Sequence, residues 1–150
     1  MDFLLGGNMS FRREVAKRLE FDMQLNRNVA QGYEVDVGLQ VRALGQRVIF
    51  DPQLVVLHYS APRATAGLRE QNSEAIRWYA FNHARVALRR LTPLRRSVSF
   101  AYQVMIGERR APGLLPMAVR PLARRLAFET EFGAAALGGR WTAFRSVIGS

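Results

Sequence analysis

The fold class depends on "QGYEVDVGLQVRALG", residues 31–45, because its apolar pattern fits two kinds of secondary structure. Apolar residues occupy every second position from Tyr33 to Val41, which is the period of a half-buried strand. Tyr33, Val37 and Val41 are also spaced as on one face of a helix, and Gly45 stands where a helix end favours glycine. Periodicity alone favours the strand slightly, so both interpretations stay open.

Two carboxylates, Glu34 and Asp36, lie near the start of this stretch. In a helix, residues two apart are separated by about 200° around the axis, so these two side chains cannot face one site. Acidic residues in a first helical turn are also favoured by the helix dipole alone. A purely structural role is therefore the alternative to catalysis for each of them.

Composition indicates a globular chain. A length of 150 residues, with 49% hydrophobic and 23% charged residues, suits one domain with a core and not a disordered segment. The absence of cysteine excludes disulfides and thiolate chemistry, and it fits a reducing compartment.

The net charge of +10 is unevenly distributed. Residues 1–68 have eight basic and seven acidic side chains, whereas residues 69–150 have fourteen basic and five acidic ones. Of the 22 basic residues, all but Lys17 are arginine, a bias that genomic base composition alone would explain. The functional alternative is an anionic partner for the second half: lipid headgroups, nucleic acid or a phosphorylated substrate.

The apolar segments are too short to span a bilayer. The longest helical candidate without charge covers residues 97–107, far below the roughly 20 residues that a crossing helix needs. The first residues, MDFLLGGNMSF, lack the features of a secretory leader. We therefore expect a chain that does not cross a membrane, although it can lie on one.

The pattern of apolar and polar residues changes near residue 68. Before it, short apolar runs alternate with Gly, Asp and Pro, whereas long amphipathic patterns follow it. The predicted elements are a strand at 2–5, a helix at 10–19 capped by Ser10, a loop at 20–32, two strands at 46–52 and 53–59 separated by an Asp-Pro turn, helices at 69–91, 93–107 and 113–133, and a fraying end at 134–150.

Three stretches together resemble family 2 glycosyltransferases, the nucleotide-sugar transferases with the GT-A type fold. They are FLLGGNMSFRRE (3–14), EFDMQ with YEVDVGLQVRALGQRVIFDP (20–24 and 33–52), and LVVLHYSAPR (54–63). Each motif alone is weak, but their order and spacing over residues 3–63 match the C-terminal half of that catalytic domain. The resemblance implies an α/β fold: residues 1–68 would form the C-terminal half of a GT-A type mixed sheet with flanking helices, and residues 69–150 a basic helical tail.

The sequence departs from the family in three places. Tyr33-Glu34 replaces the usual pair of acids before the helix, and Gln40 replaces an arginine. The Asp-x-Asp that holds metal and diphosphate in the family is not found in the chain. We therefore expect a fragment or truncated gene product that does not bind a nucleotide-sugar by itself and is inactive in isolation.

The resemblance places the catalytic residues on the stretch quoted first. It implies an inverting transfer of a sugar to an acceptor hydroxyl, with Glu34 as general base and Asp36 as the alternative base. Asp36 would otherwise have a structural role, as a cap or in a pair with Arg42 or Arg47. Substrate binding is assigned to Gly7, Asn8 and Arg42; a plain turn is the alternative at Asn8.

His58 is the candidate metal ligand. It stands at the end of an apolar strand pattern. The resemblance implies that it binds a divalent cation, Mn²⁺ or Mg²⁺, whose remaining ligands would lie outside this chain. A satisfied core histidine is the alternative.

The expected partners are a nucleotide-sugar donor, a glycan or lipid-linked acceptor, and an anionic membrane surface; nucleic acid is not expected. The expected location is cytoplasmic, including the inner face of the cell membrane, in the synthesis of a cell envelope polysaccharide. The competing function is a basic helical module that binds nucleic acid or a membrane surface without catalysis.

Overall fold

The computed structural model describes residues 8–26, 32–57, 72–119 and 132–149, and this part of the chain is mainly helical. Of these residues, 65% are in helices and 2% form a β-bridge. The elements are α1 (Arg13–Ala16), a 3₁₀ helix (Met23–Asn26), α2 (Tyr33–Ala43), α3 (Ser73–Arg90), α4 (Pro93–Met105), α5 (Leu114–Ala118) and α6 (Gly133–Ile148).

The predicted mixed sheet is wrong for this part of the chain. Residues 46–57 form no strand there, and Ile49, Phe50, Leu54 and Val55 are exposed. A strand needs a neighbouring strand for its backbone N–H and C=O groups, and no described segment pairs with residues 46–57 in this way. The predicted Asp-Pro turn does form, because the Asp51 side chain accepts a hydrogen bond from the Gln53 amide at 2.9 Å.

The stretch with two possible periods is a helix. α2 begins after Gly32, which adopts a left-handed conformation with φ 93°, and it ends in a Schellman motif around Gly45, φ 73°. There the amide of Gln46 donates to the carbonyl of Val41 at 3.1 Å, and that of Gly45 to Arg42 at 2.9 Å. The helix satisfies its own backbone, which explains why it forms without a sheet.

Two other predictions near the termini are also wrong. The first helix covers only Arg13–Ala16 and follows Arg12, so Ser10 is not its cap. Residues 134–148 do not fray but belong to α6, the main packing partner of α3. The small side chains of α6 allow this, because Gly139 lies so close to the backbone of α3 that a Cβ there would meet the carbonyl of Arg77.

α3 is the central element, in contact with α2, α4 and α6. Its start is capped by Asn72, whose side chain accepts a hydrogen bond from the Ala75 amide at 2.8 Å. The core along α3 and α6 consists of two apolar clusters. One contains Ile76, Ala80, Ala111 and Ala136, and the other contains Phe81, Ala84, Leu88 and Ala143.

A buried arginine of α6 holds the turn between α4 and α5. Gly107, φ 72°, and Pro112 form a β-bridge that closes a tight turn. The guanidinium of Arg140, only 2% exposed, donates to the carbonyl of Pro112 at 3.0 Å and to that of Ala111. Arg140 of α6 therefore holds the turn that joins α4 to α5.

Candidate functional site

Glu34 and Asp36 lie on different sides of α2, as their spacing predicts for a helix. Asp36 is 2% exposed. Its carboxylate accepts hydrogen bonds from Nε of Arg90 at 2.6 Å and from Nε2 of Gln40 at 2.8 Å. Its partner is thus Arg90 on α3, a residue that the sequence did not suggest beside Arg42 and Arg47. This carboxylate holds α2 on α3 and is not accessible to a substrate.

Glu34 is half-buried near the N-terminus of α2. Among the residues that the structure describes, no arginine or lysine forms an ion pair with it. Burial and the adjacent Glu34 carboxylate raise the pKa of Tyr33. The preceding Gly32 packs against Asn82 and Val86 of α3, which fixes where the helix begins and hence where Glu34 lies.

Of the predicted substrate-binding residues, the structure describes Asn8 and Arg42. Arg42 is exposed on the last turn of α2, about 12 Å along the axis from Glu34. Asn8 donates from Nδ2 to the carbonyl of Leu54 at 2.8 Å, so it joins two segments distant in sequence. Gly7 and His58 lie outside the described residues.

An apolar cavity of about 270 Å³ lies between α2, α3 and α4. Val35 and Leu39 line it from α2, and Val86 lines it from α3. His83 and Gln103 contribute polar groups to its wall. Val35 directly follows Glu34, so the cavity lies beside the start of α2.

A polar cluster around Glu108 adjoins this cavity through His83. The hydroxyl of Tyr79 donates to Glu108 Oε2 at 2.5 Å, and Nδ1 of His83 lies 3.3 Å from Oε1. The bond to His83 and the one from Tyr79 outweigh desolvation and lower the pKa of Glu108 from 4.5 to about 2. Burial, with the same carboxylate, raises the pKa of Tyr79.

Glu108 is not among the residues predicted from the sequence. One feature of the sequence does distinguish it: Glu108 is the single acidic residue between Glu74 and Glu129, in a strongly basic region. A lone carboxylate among arginines is often a structural counter-ion. Here the carboxylate is instead held by the Tyr79 hydroxyl and His83, and it orients His83 at the cavity wall.

A second ionic group attaches the first half of the chain to α3. Oδ2 of Asp22 lies 2.6 Å from Nε of Arg85 and 2.6 Å from Nη1 of Arg89. Burial opposes ionisation of Asp22, but the bonds from the two arginines prevail and lower its pKa below the ordinary 3.8. Asp22 and Asp36 thus pair with three arginines on two successive turns of α3.

No family model, curated protein or solved structure matches this chain. The resemblance to family 2 glycosyltransferases therefore rests on the three stretches quoted above. Within the described ranges, no helix has the length and apolar character needed to cross a membrane.

Proposed function

We propose that the chain takes part in transferring a sugar from a nucleotide-diphospho-sugar to an acceptor hydroxyl, with Glu34 as the general base. The ordered motifs of residues 3–63 support this reaction class. The observation behind the choice of base is the separation of the two acids of α2. Asp36 is buried against Arg90, whereas Glu34 is partly accessible.

The position of Glu34 suits a base. In an inverting transfer the acceptor hydroxyl loses its proton as it attacks, and a carboxylate within hydrogen-bond reach can take that proton. Glu34 lies in the first turn of α2, at the positive end of the helix dipole. Asp36 could act in this way only after losing its bonds to Arg90 and Gln40.

The cavity supports an acceptor with an apolar portion. Its wall consists mostly of aliphatic side chains, and one of them belongs to Val35, the residue after Glu34. Of the two acceptor types that the resemblance implies, a glycan and a lipid-linked acceptor, the cavity favours the lipid-linked one. Such an acceptor would place its apolar chain between α2 and α4.

The described residues do not provide a site for the divalent cation. No three His, Asp or Glu side chains converge among residues 8–26, 32–57, 72–119 and 132–149. The metal role proposed for His58 therefore depends on the resemblance alone. The proton transfer at Glu34 needs no metal, so the proposal for the base is independent of it.

Transfer can be measured in membranes from cells that carry the wild-type gene, a deletion, or single variants. The readout is radiolabel moved from a panel of nucleotide-sugars into lipid extracts and polymer. We expect Glu34→Gln to lower transfer by roughly 10²- to 10⁴-fold without changing the thermal midpoint.

Asp36→Asn is the matched control. It leaves Arg90 partly buried without a charge partner, so we expect about 3 kcal/mol of lost stability and an activity loss that follows the loss of folded protein. Near-normal transfer by Glu34→Gln would disprove the assignment of the base. Unchanged transfer in the deletion strain would disprove the function itself.

A further inference from the structure

Helix α4 presents its apolar side outward. Leu94 is 76% exposed and Val98 is 62% exposed, and Tyr102 and Met105 are exposed as well. With Ala101 these residues fall within an arc of about 100° around the helix. We call these five residues the α4 apolar face.

The opposite side of α4 is largely polar, although it faces the protein. Gln103 is buried and donates to the hydroxyl of Ser99 at 3.3 Å, and Arg96 donates to the carbonyl of Leu91 at 3.3 Å. Phe100, stacked on Phe144, is the main apolar contact there. A helix on the surface of a globular protein normally turns its apolar stripe to the core. The reversed orientation indicates an apolar environment outside α4.

The apolar surface continues on α5. Leu114, Leu115 and Val119 are exposed there, and α5 contacts α4. The turn that joins the two helices presents Arg109 and Arg110 to solvent. Because buried Arg140 fixes this turn, the two apolar surfaces and the basic pair have a defined arrangement.

The charges of this region are complementary to an anionic partner. Residues 93–107 contain no acidic residue, and Arg95 lies on the exposed side, about 100° around the helix from Leu94. Glu108, the carboxylate of the following turn, is engaged by Tyr79 and His83. The free charges of this surface are therefore positive.

We propose that the α4 apolar face and the exposed side of α5 bind the surface of an anionic lipid bilayer. Aliphatic and aromatic side chains would enter the headgroup–acyl boundary, and arginines at the edge would meet lipid phosphates. Nucleic acid would leave the apolar side chains without a partner. A second copy would bring the same arginines against each other. The proposal holds whether or not the chain transfers sugar.

The test is sedimentation of the purified chain with vesicles of phosphatidylglycerol and phosphatidylcholine, compared with vesicles of phosphatidylcholine alone. We expect binding to the anionic vesicles and much weaker binding to the neutral ones. Val98→Asn should lower the partition coefficient roughly tenfold, because a valine is no longer buried. Arg95→Gln should lower it roughly fivefold on the anionic vesicles.

Val55→Asn is the matched control, since Val55 is as exposed as Leu94 but lies outside the α4 apolar face. Its binding should equal that of the wild type. Leu94→Asn is a second variant of the face, and circular dichroism verifies that all variants stay folded. Equal losses for Val55→Asn and Val98→Asn would overturn the proposal.

Three other results would also overturn it. Binding that responds to Arg95→Gln but not to Val98→Asn or Leu94→Asn would indicate charge attraction without insertion. A concentration-dependent dimer that Val98→Asn abolishes, with no vesicle binding, would assign the face to a second copy. Salt-sensitive DNA binding without vesicle binding would assign the region to nucleic acid.

Discussion

Single carboxylates show how the environment sets the role of a residue in this chain. Glu34, Asp36 and Glu108 would all be ionised in water at neutral pH. Asp36 is fixed by Arg90, Glu108 by Tyr79 and His83, and Glu34 is partly accessible. A substrate hydroxyl would compete for Glu34 with the neighbouring Tyr33 hydroxyl, whereas at Asp36 it would have to displace an arginine.

The lowered pKa of Glu108 makes stability depend on pH. Its pKa in the folded chain is about 2, below the ordinary 4.5, so its stabilisation is fully present above about pH 4.5 and is lost as the pH falls toward 2. Glu108→Gln should remove this part of the pH dependence. Solvent screens the partly exposed carboxylate, so we expect a difference of about 1 kcal/mol between pH 5 and pH 3.

Urea denaturation at several pH values measures this effect, with Glu14→Gln as the control. Glu14 is exposed, and its carboxylate lies 3.7 Å from Nζ of Lys17. Glu14→Gln should not alter how the free energy of unfolding changes with pH. If the free energies of unfolding of wild type and Glu108→Gln fell in parallel between pH 5 and pH 3, the stabilising role of Glu108 would be refuted.

At the level of elements, long helices were predictable and packing partners were not. The periodicity of residues 69–91 and 93–107 predicted α3 and α4. Residues 33–44 fit two periods, and the helix forms because it satisfies its own hydrogen bonds whereas a strand requires a neighbour. Likewise, the spacing of Glu34 and Asp36 predicted opposite sides of a helix. It could not predict that Arg90, 54 residues later, would be the partner of Asp36.

The small residues of α6 were misinterpreted as a sign of fraying. Intrinsic propensity does penalise glycine in a helix, but it takes no account of how closely two helices approach. Two adjacent glycines of α6 allow helix propensity and close helix packing to be tested separately. A Cβ at Gly138 would meet nothing within 4 Å, whereas at Gly139 it would meet the carbonyl of Arg77 and lie 3.1 Å from the amide nitrogen of Phe81.

We therefore expect opposite results from the same substitution at neighbouring positions. Gly138→Ala should stabilise the chain by about 0.5–1 kcal/mol through helix propensity. Gly139→Ala should destabilise it by about 1–3 kcal/mol, because α6 must move away from α3. Thermal and urea unfolding measure both. A stabilising Gly139→Ala would mean that α3 and α6 are not in close contact there.

Across the whole molecule, α3 connects regions that differ in how they are held. α6 packs on α3 through apolar clusters, whereas the segment that precedes α2 is held by Asp22, Arg85 and Arg89. The predicted boundary at residue 68 lies outside the described residues, but these contacts cross it. An apolar interface and an ionic one should respond differently to loss of charge.

Asp22→Asn tests this difference by hydrogen exchange. Removing the charge-assisted bonds to Arg85 and Arg89 should weaken the attachment of residues 20–26 to α3, and exchange there should accelerate at least about tenfold. Amides of α6 should keep their protection, because its apolar contacts are unchanged. Asp51→Asn, at an exposed aspartate, is the control and should leave both regions as they are.

The pH dependence of this effect follows from the lowered pKa of Asp22. The contribution of its carboxylate is fully present above the ordinary pKa of 3.8 and disappears as the pH falls through the lower value of the folded chain. Wild type and Asp22→Asn should therefore differ most at neutral pH and converge in strong acid. Equal acceleration of exchange in residues 20–26 and in α6 would instead mean that the ionic contacts and the apolar core unfold as one cooperative unit.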